Sequence, residues 1–342
     1  MKSAGKTNPE KRNATSEDVA QLAGVSQATV SRVFAGGANV SEKKRKKILD
    51  AAAELEYKPN AQARSLITRK TMMVGIIMRN IKDPFYSAVL EIFHTRLAPL
   101  GYQLIFNNSE NEIIEEWEIA KLLEFNVEGI IVTDALLSEG ATRKLKRSGI
   151  VSILFNRHAE GLNCSAVYCD NYLAAQQIAT YLVEMGHRTF AFISGPRNTS
   201  TTVDRLKGFQ EVLRERNIKE LTIIPGTYTY ESGFKSAQEL LTRNKNIDCI
   251  FCGSDIIALG VMDAARLVGF RIPEDVSVVG FDNIRMLGWT PYPLTTWEQP
   301  LEDMVTSTVE LLLKEINDKN AAPRIVAMKG RLVIRNTVRK KK

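Results

Sequence analysis

Apolar positions recur at helical spacing from Asp18 to Phe34: Val19, Ala20 and Leu22-Ala23 first, then Val30, Val33 and Phe34. Gly24 lies between the two groups and supplies the backbone freedom of a tight turn. The pattern predicts two short helices, the second capped by Ser26, with Val30, Val33 and Phe34 inward and Gln27, Ala28 and Arg32 outward. Such a pair reads as a helix-turn-helix offering its second helix to the DNA major groove. A plain helical bundle is the alternative.

Gly36-Gly37 opens a loop, and Ser41 is expected to cap a third helix whose apolar stripe is Ile48, Leu49, Ala52 and Leu55. Lys43–Lys47 covers the rest of that helix, as a solvated face or as phosphate contacts. Pro59 ends it. Asn60 then caps a short helix whose Ala61 and Ala63 would let two copies pack closely, with Leu66 placed to wedge into a minor-groove step. A plain linker ending at Thr68-Arg69-Lys70 is the other reading.

From Met72 the pattern becomes alternating strand and helix. Runs such as Val74–Met78, Gly129–Val132 and Val151–Phe155 are each preceded or followed by amphipathic stretches, and a second series begins at Ala166–Tyr168. Repetition of this kind predicts an α/β core of two doubly wound parallel-sheet lobes with a cleft between them. Leu294–Trp297 reads as a strand crossing back toward the first lobe, Pro300 starts a long helix, and Arg331–Val338 is a final strand. The expected organisation is a disordered basic arm over 1–14, the helix-turn-helix domain over 15–58 and a hinge helix or linker over 59–70. The core over 71–338 divides into an N-lobe of about 71–165 plus 298–325 and a C-lobe of about 166–297 plus 326–338.

Charge sharpens this. Lys and Arg outnumber Asp and Glu by 46 to 39 over the 342 residues, yet within 1–70 the balance is 14 to 7 and over 71–342 it is 32 to 32. The whole positive excess sits with the suspected DNA reader, as a phosphate-neutralising surface requires. The amino-terminal residues are polar and basic, and no later run approaches the length of a membrane span, so a cytoplasmic protein is expected. Cys249 and Cys252 form a C-x-x-C, but in a strand their thiols would point to opposite faces, so buried reduced cysteines are expected. His94, His158 and His187 lack partners at metal or catalytic spacing and are assigned structural roles. The sequence contains no G-x-G-x-x-G, P-loop, G-x-S-x-G or H-E-x-x-H, so no catalytic residue, metal or cofactor is proposed.

Taken together, DVAQLAGVSQATVSRVF, the following VS, AAAELEYKPNAQARSL, Asp83-Pro84-Phe85-Tyr86, Gly186-His187-Arg188, Arg205–Phe209, Gly253-Ser254-Asp255, Ile272–Ser277, Gly280-Phe281-Asp282 and Gln299-Pro300 resemble the LacI/GalR family of bacterial transcription regulators. The resemblance runs from about Ser16 to Val338. It implies a homodimer that reads palindromic operator DNA, a hinge helix in the minor groove, and a periplasmic-binding-protein-like core that senses a small effector, a sugar or sugar derivative. Carried over by position, Gln27, Ala28 and Arg32 read bases and Thr29 and Ser31 lie near the backbone; Ser26 and the hinge residues Asn60, Ala63 and Leu66 complete the expected DNA-binding set. Arg32 to guanine is the expected leading contact.

The effector positions implied in the same way are Asp83, Phe85, Tyr86, Asn156, Arg157, Arg205, Tyr228, Asp255 and Asp282. Aromatic faces, a guanidinium and carboxylates suit the CH faces and hydroxyls of a polyol. Phe85 and Tyr86 read equally as core. Asp83 and Asn156 exchange acid and amide relative to the common family pattern, which leaves the ligand's charge open, and Asp204 is placed to pair with its neighbour Arg205. Repression relieved by the effector is the expected response, with activation or co-repression as alternatives. The rivals from other classes are a solute-binding protein, against which stand the basic headpiece and the lack of an export signal, and an architectural DNA binder indifferent to sugars.

Overall fold

The computed structural model describes residues 14–34, 40–58, 70–109, 113–133, 136–159, 164–289, 292–318 and 320–341. The chain divides into two compact units, Met1–Met72 and Met73–Lys342. The proposed hinge residues Asn60, Ala63 and Leu66, and all but the last residue of the basic arm, lie outside the described residues.

The first unit is built from α1 (Ser16–Ala23), α2 (Gln27–Phe34) and α3 (Glu42–Glu54). Thr15 starts α1 with a reciprocal cap: its hydroxyl accepts from the Asp18 amide at 3.3 Å, and the Asp18 carboxylate accepts from the Thr15 amide at 2.7 Å. Gly24 ends α1 at φ +65°, where the Val25 amide reaches back to the Ala20 carbonyl at 3.0 Å. Val19, Ala20, Val30, Val33, Ile48, Ala51 and Ala52 share one core. Complete burial of Val19, Val30 and Ile48 contributes roughly 1.5–3 kcal/mol each.

Three local expectations need correction. Leu49 is 46% exposed, because Ala51 rather than Leu49 follows Ile48 around the inward face. Ser41 occupies the cap position of α3, but its hydroxyl makes no capping bond. The Ser26 hydroxyl pairs with that of Thr29 at 2.9 Å, and it is the Ser26 carbonyl that accepts the first amides of α2.

The second unit carries two six-stranded sheets. The first contains β1 (Met73–Arg79), β2 (Gln103–Ser109), β4 (Gly129–Thr133), β6 (Val151–Phe155), β7 (Ser165–Cys169) and β13 (Ile325–Met328), in the order β13-β7-β6-β4-β1-β2 and parallel throughout. A short pair, β3 (Ile113–Ile114) and β5 (Leu136–Leu137), flanks it. The second sheet contains β8 (Phe190–Ile193), β9 (Leu221–Ile224), β10 (Cys249–Cys252), β11 (Ser277–Asp282), β12 (Thr295–Glu298) and β14 (Arg331–Val333), in the order β14-β12-β11-β10-β8-β9, with only β14 antiparallel.

Helices α5 (Glu116–Glu124) and α6 (Glu139–Ser148) cover one face of the first sheet, and α4 (Pro84–Leu97) packs with α11 (Leu301–Asn317) on the other. In the second lobe α7 (Asn171–Glu184) packs on α8 (Ser200–Glu215), and α9 (Tyr230–Arg243) on α10 (Asp255–Leu267). Every residue of β4 and of β10 is buried, as parallel strands covered on both faces require.

The lobe boundary falls later than expected. The strand at Ala166–Tyr168, read as the start of the second lobe, pairs with β6 and β13 in the first sheet. Its partner β13 comes from more than 150 residues further along, a pairing that local pattern cannot announce. The final strand is also shorter than Arg331–Val338 and stops at Val333. The chain therefore crosses between lobes after β7, between β12 and α11, and between β13 and β14.

Trp297 sits at these crossings. It is 1% exposed, and Cys169 of the first crossing lies beside it. Gly330 of the third crossing is so close that a Cβ there would stand 2.5 Å from the indole nitrogen. No helix among the described residues is long and apolar enough to cross a membrane.

Candidate functional site

On α2, Gln27, Ala28 and Arg32 are exposed, Thr29 and Ser31 are half-buried, and Val30 and Val33 are buried. The two hydrogen-bonding side chains rest on their own unit: Gln27 Nε2 donates to Ser16 Oγ at 2.9 Å and Arg32 Nε to the Ala28 carbonyl at 3.3 Å. Both bonds are exposed, so little is lost when these groups turn to another partner. Exposed Lys43, Lys44, Lys46 and Lys47 on α3 add positive charge to the same unit.

The second site is a nearly closed cleft between the lobes with about 20 Å³ of free volume, lined by Asp83, Phe85, Tyr86, Asn156, Thr201, Arg205, Tyr228, Ser254 and Asp282. That is far below the about 300–1,000 Å³ of small-molecule sites, so the lobes must part to admit a ligand. In this conformation the side chains draw in closely around it.

The first lobe contributes the α4 start and the turn after β6. Asp83 caps α4, accepting from the Phe85 amide at 3.0 Å, and Pro84 follows at the first helical position. This places Phe85 and Tyr86 edge to face, with centroids 5.1 Å apart. Asn156 leaves β6 at φ +61°; its Nδ2 donates to the Tyr86 hydroxyl at 3.1 Å, and its buried Oδ1 has no partner among the described residues. The wall therefore presents an unused acceptor beside an aromatic pair.

The second lobe contributes a fixed cation and several hydroxyls. Arg205 is 2% exposed. Its Nε donates to Asn171 Oδ1 at 2.8 Å, Nη1 bonds to the Gly253 carbonyl, and the guanidinium lies 3.4 Å over the Phe281 ring. Held on three sides, the group keeps Nη2 for a further acceptor. The Tyr228 hydroxyl lies 3.0 Å from Thr201 Oγ1 and 2.9 Å from Thr202 Oγ1, while Thr199 and Ser254 cap α8 and α10.

Asp282 ends β11 at φ +123°, a conformation costly to a residue with a Cβ, and accepts from Gln299 Nε2 at 2.7 Å. Burial pushes its carboxyl well above the ordinary range, and the negative charges of Asp255 and Asp83 push the same way, against the nearby Arg205.

Seven of the nine expected effector residues line this one cavity. Asp255 does not. It is fully buried, accepts from Thr296 Oγ1 at 2.6 Å and the Ile284 amide at 2.9 Å, and braces α10 against the end of β11. Desolvation raises its pKa to about 6. Arg157 is buried next to Asn156 but is not part of the lining. The expected Asp204–Arg205 pair does not form, since consecutive helical residues point about 100° apart; Asp204 instead meets His158 at 2.9 Å.

Thr201, Ser254 and the Arg205 anchor Asn171 were missed. Thr201 and Ser254 sit among helix-capping residues, so their types read as helix starts. Cys249 and Cys252 are buried and free, with thiols pushed upward by desolvation, and the described residues hold no cluster of metal-ligating side chains.

Comparison with known proteins agrees with this layout. The family described as "Bacterial regulatory proteins, lacI family" matches residues 15–60, and the periplasmic binding protein-like domain matches 179–338. Catabolite control protein A of Priestia megaterium is 32% identical over 331 residues, covering 96% of this chain and 100% of that protein. The HTH-type transcriptional repressor PurR of Photobacterium profundum is 31% identical, covering 95% and 99%. Among solved structures, the lac repressor dimer bound to operator and the anti-inducer ONPF aligns with TM-score 0.86 at 25% identity, covering 96% of this chain and 100% of that one. The complex of the transcriptional regulator CelR with cellobiose aligns with TM-score 0.72 at 30% identity, covering 95% and 99%.

Proposed function

The chain belongs to the lacI family of bacterial regulatory proteins, a family of DNA-binding transcriptional regulators rather than enzymes, and from that premise we propose that it is a repressor relieved by a small, uncharged sugar. Two copies grip a palindromic operator through α2, with Gln27 and Arg32 supplying hydrogen bonds and Ala28 an apolar contact such as a thymine methyl. The sugar occupies the inter-lobe cavity and shifts the lobe arrangement, which alters operator affinity by linkage.

The observation that carries the ligand class is the composition of the lining: two carboxylates, one guanidinium and no lysine, with hydroxyls and an aromatic pair. Arg205 already serves Asn171, Gly253 and Phe281, and an added phosphate would face Asp83 and Asp282. Hydroxyls can donate to those carboxylates and to Asn156 Oδ1, and accept from Arg205 Nη2. Relatives bound to cellobiose or ribose support a sugar.

The test takes a palindrome selected from random DNA with the purified protein and titrates the complex with neutral sugars, their phosphates and purine bases. Release by a neutral sugar is expected. Release or tightening only by a phosphate or a base would replace the ligand class, and indifference to every compound would leave an architectural DNA binder.

A further inference from the structure

The lobes also meet directly, on both sides of the cavity. Asn80, at φ +60° after β1, donates from Nδ2 to the Tyr228 carbonyl at 3.1 Å. Beyond β6, the His158 amide donates to Ser200 Oγ at 3.3 Å, and His158 Nε2 lies 2.9 Å from Asp204 Oδ2. His158 belongs to the first lobe, Ser200 and Asp204 to α8 of the second.

We propose that His158 and Asp204 form a proton-set latch between the lobes, so that the ease of closing the cleft depends on pH in the imidazole range. Histidine is the side chain whose ordinary pKa, about 6.5, puts its charge change there. Protonated, His158 makes an ion pair with Asp204; neutral, it makes an ordinary hydrogen bond. The side chains are 31% and 24% exposed, so solvent reduces the attraction without removing it.

The surroundings favour this role over a passive contact. Tyr168 of β7 stands with its ring 4.8 Å from the imidazole, and burial raises its phenol, so it stays neutral where histidine titrates. Asp204 and Asp170 are the carboxylates acting on Tyr168, and they supply negative charge to the same corner. Among nearby cations, Arg157 precedes His158 in the chain, Arg205 is turned to Asn171, Gly253 and Phe281, and Lys207 lies over the Tyr172 ring. Asp204 is a carboxylate that meets the imidazole, at 2.9 Å.

The sign follows from linkage. Opening the cleft parts His158 from Asp204 and returns both to water, so the closed arrangement binds the imidazole proton more tightly. Closure is favoured at low pH and weakens as pH rises through the histidine range. One proton changes the closed-to-open ratio by at most about tenfold per pH unit. The latch needs no particular effector and stands whether the ligand is a sugar or something else.

The test is small-angle X-ray scattering of the full chain at about pH 6 and pH 8, for wild type, His158→Gln and Asp204→Asn, without added ligand. Wild type is expected to be more compact at the lower pH, and each variant to lose most of that difference. Both side chains are partly exposed, and melting curves establish that the variants fold. A wild type of equal size at both pH values, or a pH response that survives intact in both variants, overturns the proposal.

Discussion

The headpiece and the two-lobed core place their polar chemistry in opposite positions. In the headpiece the apolar side chains close on one another, and Gln27, Ala28 and Arg32 face water. In the core the decisive groups are inside: Asp83, Asn156 and Arg205 are each less than a twentieth exposed. Exposed donors suit a large partner that brings its own charged surface, whereas buried, mutually bonded groups suit a ligand small enough to be enclosed. The two regions should therefore fail independently.

The sharpest way to break that comparison is Arg205→Ala. It removes the buried cation that acts on Asp282, and a loss of about 2–5 kcal/mol in effector affinity is expected by calorimetry. Operator affinity without effector should stay within about twofold; if it falls as far, core and headpiece are not separable. Arg32→Ala is the reverse experiment. It should weaken the selected operator by about 1–3 kcal/mol, leave random DNA nearly unchanged and spare effector binding. Equal losses on both DNAs would assign Arg32 to phosphate.

A smaller difference is read by pH. Burial raises Asp255 to about 6, above the roughly 3.9 of a free carboxyl, so its stabilising contribution is complete below about pH 4 and lost as pH rises through about 6. Asp255→Asn does not titrate there, so its stability relative to wild type should improve over that interval, on the order of 3 kcal/mol, in denaturant melts. The headpiece transition should not share the change. The least effect is expected from Thr15→Ala, which removes the α1 cap and should cost about 1 kcal/mol in the headpiece alone, seen by hydrogen exchange.

The same contrast explains what the sequence disclosed. Headpiece contacts are local, so helical spacing alone put Val30 and Val33 inside and Arg32 outside. In the core, family positions brought seven cavity residues together, but they could not show that Asp255 is spent on Thr296 and Ile284. The partners joining distant parts of the chain stayed hidden: Asn171 with Arg205, His158 with Asp204, and β7 with β13. A side chain's type and spacing carry no record of a neighbour brought up from 34, 46 or more than 150 residues away.

Trp297 gathers the junction between the lobes around one side chain. With Cys169 of the first crossing beside its ring and Gly330 of the third against it, the buried indole ties two passages of the chain between the lobes together. A side chain at position 330 would collide with that ring and with the Glu298 carbonyl and prise the passages apart.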